Sequence, residues 1–156
     1  MNFNLINHKN INDMNKLIKK DSFNIIIGGD EIINRKAVET KNVNLLLDPE
    51  PELGDFMHSR NSGLNQVLVK LAKKNNISIG FSFNKIIKLD NLSKAKLLGK
   101  IMQNVRLCNK YKVKIYIVNF FNDEIDERAV NDLKYFGLAL GMMPGKFEVL
   151  QIKNET

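Results

Sequence analysis

Seven cationic side chains crowd into residues 93–114: Lys94, Lys96, Lys100, Arg106, Lys110, Lys112 and Lys114, with no Asp or Glu among them. Charge of one sign at this density suits a polyanion. Each phosphate neutralised by a Lys or Arg releases condensed counterions, which gives salt-sensitive binding to nucleic acid. Solvated helices usually interleave the two signs, and here they are not interleaved. At 3.6 residues per turn, Leu97, Leu98, Ile101, Val105 and Cys108 group on one side of a helix. Lys96, Lys100 and Lys110 are expected on the opposite side, with Arg106 flanking. A second basic element lies upstream. Leu64, Val67, Leu68, Leu71 and Ala72 fall at i, i+3, i+4, i+7 and i+8, one helix face, and leave Lys70, Lys73 and Lys74 off that stripe. Ser62 is the expected N-cap of this helix.

Residues that could carry catalysis are sparse. His8 and His58 form no His-x-His or His-Glu-x-x-His pattern and read as solvated surface side chains. Gly28-Gly29 lacks a Gly-x-Gly-x-x-Gly frame or a phosphate-loop Lys and reads as a turn. The carboxylates of residues 49–55 could hold a divalent cation, but a solvated acidic loop is the simpler expectation. Ser62 has no Gly-x-Ser-x-Gly setting and no evident base. Cys108, the single cysteine, falls within an apolar spacing and is expected as a core thiol in a reducing compartment. Phe81, Phe83, Phe120 and Phe121 sit in no RNP-type motif, so core packing accounts for them. No catalytic residue and no metal ligand is assigned. The basic surface suits RNA backbone and shape more than base reading.

The elements that hold these residues alternate. Strands are expected at Phe3–Ile6, Phe23–Ile27, residues 43–47, 77–81 and 115–120, with a last one at residues 147–152. Helices are expected at residues 11–20, 33–39, from 62 to 74, 93–111, and from 132 to 140, where Met143-Pro144-Gly145 stops the chain. Asp48-Pro49-Glu50-Pro51-Glu52 opens a loop, since Pro offers no ladder donor. Strand–helix alternation argues for βα units and a mostly parallel sheet. The strands are too few for a complete eight-stranded barrel, which leaves a reduced or partial (βα) TIM-like barrel, an α/β fold, as one domain over residues 1–156. The 156 residues are 44% apolar, enough to fill a core. Lys and Arg exceed Asp and Glu by 24 to 17, a net +7, which favours polyanionic partners. No apolar run approaches a membrane span and no signal peptide is visible, so a cytoplasmic protein with no membrane partner is expected.

Several segments together resemble the archaeal and eukaryotic ribonuclease P protein component 3 family. Ser62-Gly63-Leu64-Asn65-Gln66-Val67-Leu68 is similar to its Ser-Gly-(Leu/Ile)-(Asn/Asp)-His-Val-Leu helix start. Before it stand Ile32-Ile33-Asn34-Arg35-Lys36-Ala37-Val38-Glu39 and Val43-Asn44-Leu45-Leu46-Leu47. After it come Ile79-Gly80-Phe81-Ser82, then Met102-Gln103-Asn104-Val105-Arg106-Leu107-Cys108-Asn109-Lys110-Tyr111-Lys112-Val113. Asn131-Asp132-Leu133, Phe136-Gly137 and Leu140-Gly141-Met142 complete the family order. The resemblance covers about residues 23–143.

It implies a subunit of ribonuclease P, the endoribonuclease (a nuclease and hydrolase) of tRNA 5′ maturation. Such a subunit pairs with protein component 2 and binds the catalytic ribonuclease P RNA. The RNA, with Mg²⁺, cleaves precursor tRNA, and the protein itself binds no cofactor. The implied fold is a barrel related to metal-dependent phosphoesterases but without their metal set. By motif, the resemblance adds Arg35, Arg60, Lys110 and Arg128 as residues that touch RNA or a partner, beside Lys74, Lys100 and Arg106 from the charge pattern. Two features depart from the family: Gln66 stands where His is usual, and the sequence upstream of Phe23 is short, which suggests a reduced barrel or a gap filled by a partner. The rival classes are a stand-alone phosphoesterase or nuclease of the related barrel fold and a protein-interaction module.

Overall fold

The computed structural model describes residues 1–7, 11–52 and 54–154. Its six strands are β1 (Phe3–Ile6), β2 (Phe23–Ile27), β3 (Leu45–Leu47), β4 (Ser78–Ser82), β5 (Ile115–Phe121) and β6 (Phe147–Lys153). All neighbouring pairs are parallel and the spatial order is the sequence order, β1-β2-β3-β4-β5-β6. A sheet that never reverses its strand order winds one way and curls. The result is the expected partial TIM-like barrel, with helices between the strands.

Both faces of the sheet are covered, so its strands read as continuous apolar runs. Ile26, Leu46, Ile79, Phe81, Ile115 and Ile117 point to the helices and form the larger core with Leu68, Val69, Ile101, Val105, Cys108 and Leu133. Alternate residues, Ile25, Leu45, Leu47, Tyr116, Val118 and Ile152, pack against one another on the inner face of the curl. Glycine at position 80 lets β4 approach β3: a Cβ there would sit 3.1 Å from Leu45 Cδ1 and 3.2 Å from Leu47 Cδ1.

The helices are α1 (Met14–Leu17), α2 (Glu31–Glu39), α3 (Gln66–Lys74), α4 (Phe83–Ile87), α5 (Asn91–Tyr111) and α6 (Val130–Ala139). The helix expected over residues 11–20 is a 3₁₀ turn, Ile11–Asp13, followed by the single turn of α1, because Ile18 turns to extended backbone. α4 was not expected, since five residues are too few to show a periodicity. Asp30 caps α2, accepting from the Ile32 and Ile33 amides, and this starts the helix two residues before the expected position.

The α3 cap corrects the sequence expectation. Asn65, not Ser62, accepts from the amides of Val67 and Leu68, at 2.9 and 3.0 Å. Ser62 is buried and its Oγ donates to Leu64 O. Leu64 therefore precedes the helix, and the buried stripe shifts to Leu68, Val69 and Ala72, leaving Val67 54% exposed. Met102 of the long helix is likewise exposed.

One buried polar hub joins the first strands. Asn24 Nδ2 donates to Lys19 O at 2.7 Å and Asn42 O at 2.9 Å, while its Oδ1 accepts from Asn4 Nδ2 and the Lys19 amide. Replacing Asn24 by Ala breaks several part-buried hydrogen bonds at once, so a loss of about 2–3 kcal/mol is expected in urea unfolding. A midpoint unchanged from the parent protein would contradict this.

Candidate nucleic-acid interface

The carboxyl end of β3 leads into the loop expected as solvated and acidic; Glu52 and Asp55 are exposed as expected, but the acids nearest the strand are not. Asp48 and Glu50 are buried, Glu50 to 1% exposure. Asp48 holds a positive φ of 51°, and one of its carboxylate oxygens accepts from the Ser82 amide at 2.7 Å. Burial raises its carboxyl above the ordinary value, against the pull of the Lys85 charge. Glu50 is pushed up to about 8, first by burial and then by the neighbouring Asp48 charge, with the Asn104 amide opposing. The surface prior for acidic residues fails here because Pro49 and Pro51 flank Glu50 and the strap they form is bonded from two sides. Asn104 Nδ2 donates to Glu50 Oε1 at 2.8 Å and to Ser62 O at 2.7 Å. Asn34 Nδ2 donates to Pro49 O at 2.9 Å and Gly63 O at 3.1 Å. The available signal was an Asn between Ile101 and Val105 on an apolar stripe, and buried amides rarely go unbonded.

Against this strap the fold gathers cations from three segments. Arg60, from the loop before α3, donates Nη1–H to Gly99 O at 3.1 Å, and its guanidinium lies over Gly99 of α5. Lys100 was expected on the solvated face of the helix. It is instead 9% exposed and donates Nζ–H to Pro51 O at 2.9 Å, tying α5 to the strap. The expectation failed because the loop folds over that side of α5. Lys85 of α4 and Lys96 of α5 join Arg60 and Lys100 around a cavity of about 500 Å³, which Glu50, Glu52 and Asp55 also line.

Farther along α5 lies the second basic surface. Arg106 and Lys110 are exposed, four residues apart and so on one face. Lys110 and Lys70 both stand over the Tyr111 ring, at 5.5 and 5.4 Å from its centroid. The Tyr111 hydroxyl donates to Gln66 Oε1 at 3.1 Å, which gives the residue at the usual His position a packing partner. Lys74, exposed and four residues beyond Lys70, continues this ridge along α3. None of Arg60, Lys74, Arg106 or Lys110 enters an ion pair with another described residue. Lys114 does not: β6 brings Glu148 to 2.7 Å from it, an acid the local sequence lacked.

Two of the sequence-derived residues stand apart. Arg35 lies on α2 in an exposed pair with Glu39 at 3.0 Å. Arg128 is exposed in the loop before α6, where its carbonyl accepts from Gln151. His58 is exposed, and His8 lies outside the described residues. Among the described residues no three of His, Cys, Asp or Glu come together as a metal-ligand set. Cys108 is a buried thiol pushed up to about 12 by burial, which makes it unreactive. No helix among the described residues is long and apolar enough to cross a membrane.

No protein-family model matches the chain. Similar curated proteins carry the name ribonuclease P protein component 3. The one from Methanococcus maripaludis strain S2 is 30% identical over 135 residues, 84% of this chain and 56% of that protein. The Methanococcus vannielii protein is 32% identical over 131 residues, 81% and 54%. The Methanococcoides burtonii protein is 32% identical over 129 residues, 83% and 50%. A chain in a cryo-EM structure of archaeal ribonuclease P with mature tRNA superposes with a TM-score of 0.72 at 26% identity, covering 88% of this chain and 59% of that one. The resemblance drawn from the sequence is borne out, and the chain spans about half the length of the curated relatives it matches.

Proposed function

From this chain's homology to ribonuclease P protein component 3, we propose that it is a protein subunit of ribonuclease P, binding the catalytic RNA and supporting 5′-leader removal from precursor tRNA. The observation that carries the proposal is the homology over most of the chain together with the fold shared with a chain of archaeal ribonuclease P. The charge distribution supports it. The α5 face and the α3 ridge present Arg106, Lys110, Lys70 and Lys74 without an acid between them, as a backbone-reading surface requires.

In this reading protein component 2 is the protein partner, precursor tRNA is met through the holoenzyme, and the complex works in the cytoplasm. Cleavage belongs to the RNA and the Mg²⁺ it holds. The protein steadies the folded RNA by neutralising closely spaced phosphates.

The test is reconstitution with ribonuclease P RNA, protein component 2 and Mg²⁺. Converting Arg60, Arg106 and Lys110 to Ala together should lower precursor cleavage at least about tenfold at moderate salt. It should also shallow the log K against log salt slope by about two to three, roughly one for each phosphate left unneutralised. Thermal unfolding should stay close to the parent protein, because these side chains are exposed. Parent-level cleavage by the triple variant would refute the interface. Hydrolysis of precursor tRNA by the isolated chain would favour a stand-alone nuclease.

A further inference from the structure

The cavity between the 48–62 loop, α4 and α5 is separable from the α3–α5 ridge. It opens at the carboxyl ends of the strands, where βα folds seat their ligands. Arg60, Lys85, Lys96 and Lys100 line it from three different segments. Glu52 and Asp55 are its opposing charges, and an Asp55 oxygen is already occupied by the Asn61 amide at 3.0 Å. Glu50 adds no negative charge at neutral pH, because it keeps its proton up to about 8. Its Oε2 is buried without a hydrogen-bond partner, beside Oε1 that Asn104 satisfies.

We propose that this cavity binds a phosphate group carried on a nucleoside, held by Arg60, Lys85 and Lys96, with Lys100 adding charge to the wall. Arg60 is already aimed: its bond to Gly99 O sets the guanidinium fork at the rim, and a planar fork matches two phosphate oxygens. A volume of about 500 Å³ exceeds what a bare phosphate fills and admits a sugar and base beside it. The nucleoside phosphate could be the end of an RNA, an internal link or a free nucleotide, since the chemistry at the cavity is the same. The site does not depend on the ribonucleoprotein reading.

Backbone amide NMR of the whole chain tests it, with inorganic phosphate and adenosine 5′-monophosphate as probes. Saturable shifts are expected at Gly54, Ser93 and Gly99, with the mononucleotide the tighter of the two. Lys96→Ala and Lys85→Ala should each weaken binding at least about fivefold. Lys146→Ala, beside the amino end of β6, should leave it unchanged. Lys96 is exposed, so its variant keeps the fold even if the half-buried Lys85 variant does not. Short RNAs with a 5′-phosphate or a 5′-hydroxyl then separate the sources. Shifts with the phosphorylated RNA alone indicate a terminal phosphate, equal shifts an internal one, and shifts with the mononucleotide alone a free nucleotide. Absence of saturable shifts at these amides up to about 20 mM of either probe, well past a millimolar Kd, overturns the proposal. Binding that survives Lys96→Ala at full strength overturns it as well. Phosphate binding that persists while precursor cleavage ignores the triple variant sinks the ribonucleoprotein reading and leaves this one standing.

Discussion

Gly63→Ala should cost the fold about 3 kcal/mol or more and lower Tm by about 10 °C, read by calorimetry. Gly63 holds a φ of 80°, where an L side chain is strained by about 1–2 kcal/mol. The larger part is steric. A Cβ would lie 1.9 Å from Pro49 O and 2.7 Å from Pro49 C, and both are backbone atoms. They cannot step aside, because Asn34 Nδ2 grips Pro49 O and Gly63 O together. Relief therefore means moving the Pro49–Glu50 strap off Asn34 and Asn104, which strips donors from buried acceptors. Gly54→Ala is the control: nothing lies within 4 Å of its Cβ position, and its Tm should stay within about 1–2 °C of the parent. A Gly63→Ala protein melting alongside Gly54→Ala would show that the strap is free to shift.

Raising the pH from about 5 to 8.5 should destabilise the protein by an amount on the order of a few kcal/mol, and Glu50→Gln should remove most of that loss. The sign follows from the direction of the shift. Glu50 titrates near 8 in the folded chain and near its ordinary 4.5 when unfolded. Between those values the folded chain holds a proton that the unfolded chain has released. Stability is then greatest below about 4.5, falls through the window and levels above 8. Asp48, raised by the same burial, adds a fall of the same sign. Gln at position 50 keeps an oxygen for Asn104 Nδ2 and cannot ionise, so its urea midpoint should stay nearly level where the parent's declines. Parallel declines for the two proteins would mean that Glu50 carries its charge in the fold at little cost.

The strand–helix order, the parallel sheet, the partial barrel and the basic faces of α3 and α5 were legible in the chain. Each rests on a local period: runs such as Ile25-Ile26-Ile27 and Leu45-Leu46-Leu47, or helical stripes such as Ile101, Val105 and Cys108. Local rules erred where distant segments meet. Ser62 has the right chemistry for a cap, yet the chain turns helical only after Asn65 because Ser62 is drawn under Asn104. Lys100 has the spacing of a solvated cation, yet the Pro51 carbonyl is folded onto it.

Sequence alone therefore determined the strands, the helices other than α4 and the short α1, how they wind and which sign of charge they carry, because periodicity and composition act within a few residues. Tertiary structure alone decided that Glu50 is buried and protonated, that Arg60, Lys85, Lys96 and Lys100 share one cavity, and that Lys114 is spent on Glu148. Desolvation and charge pairing are set by neighbours dozens of residues away, and no local pattern encodes them.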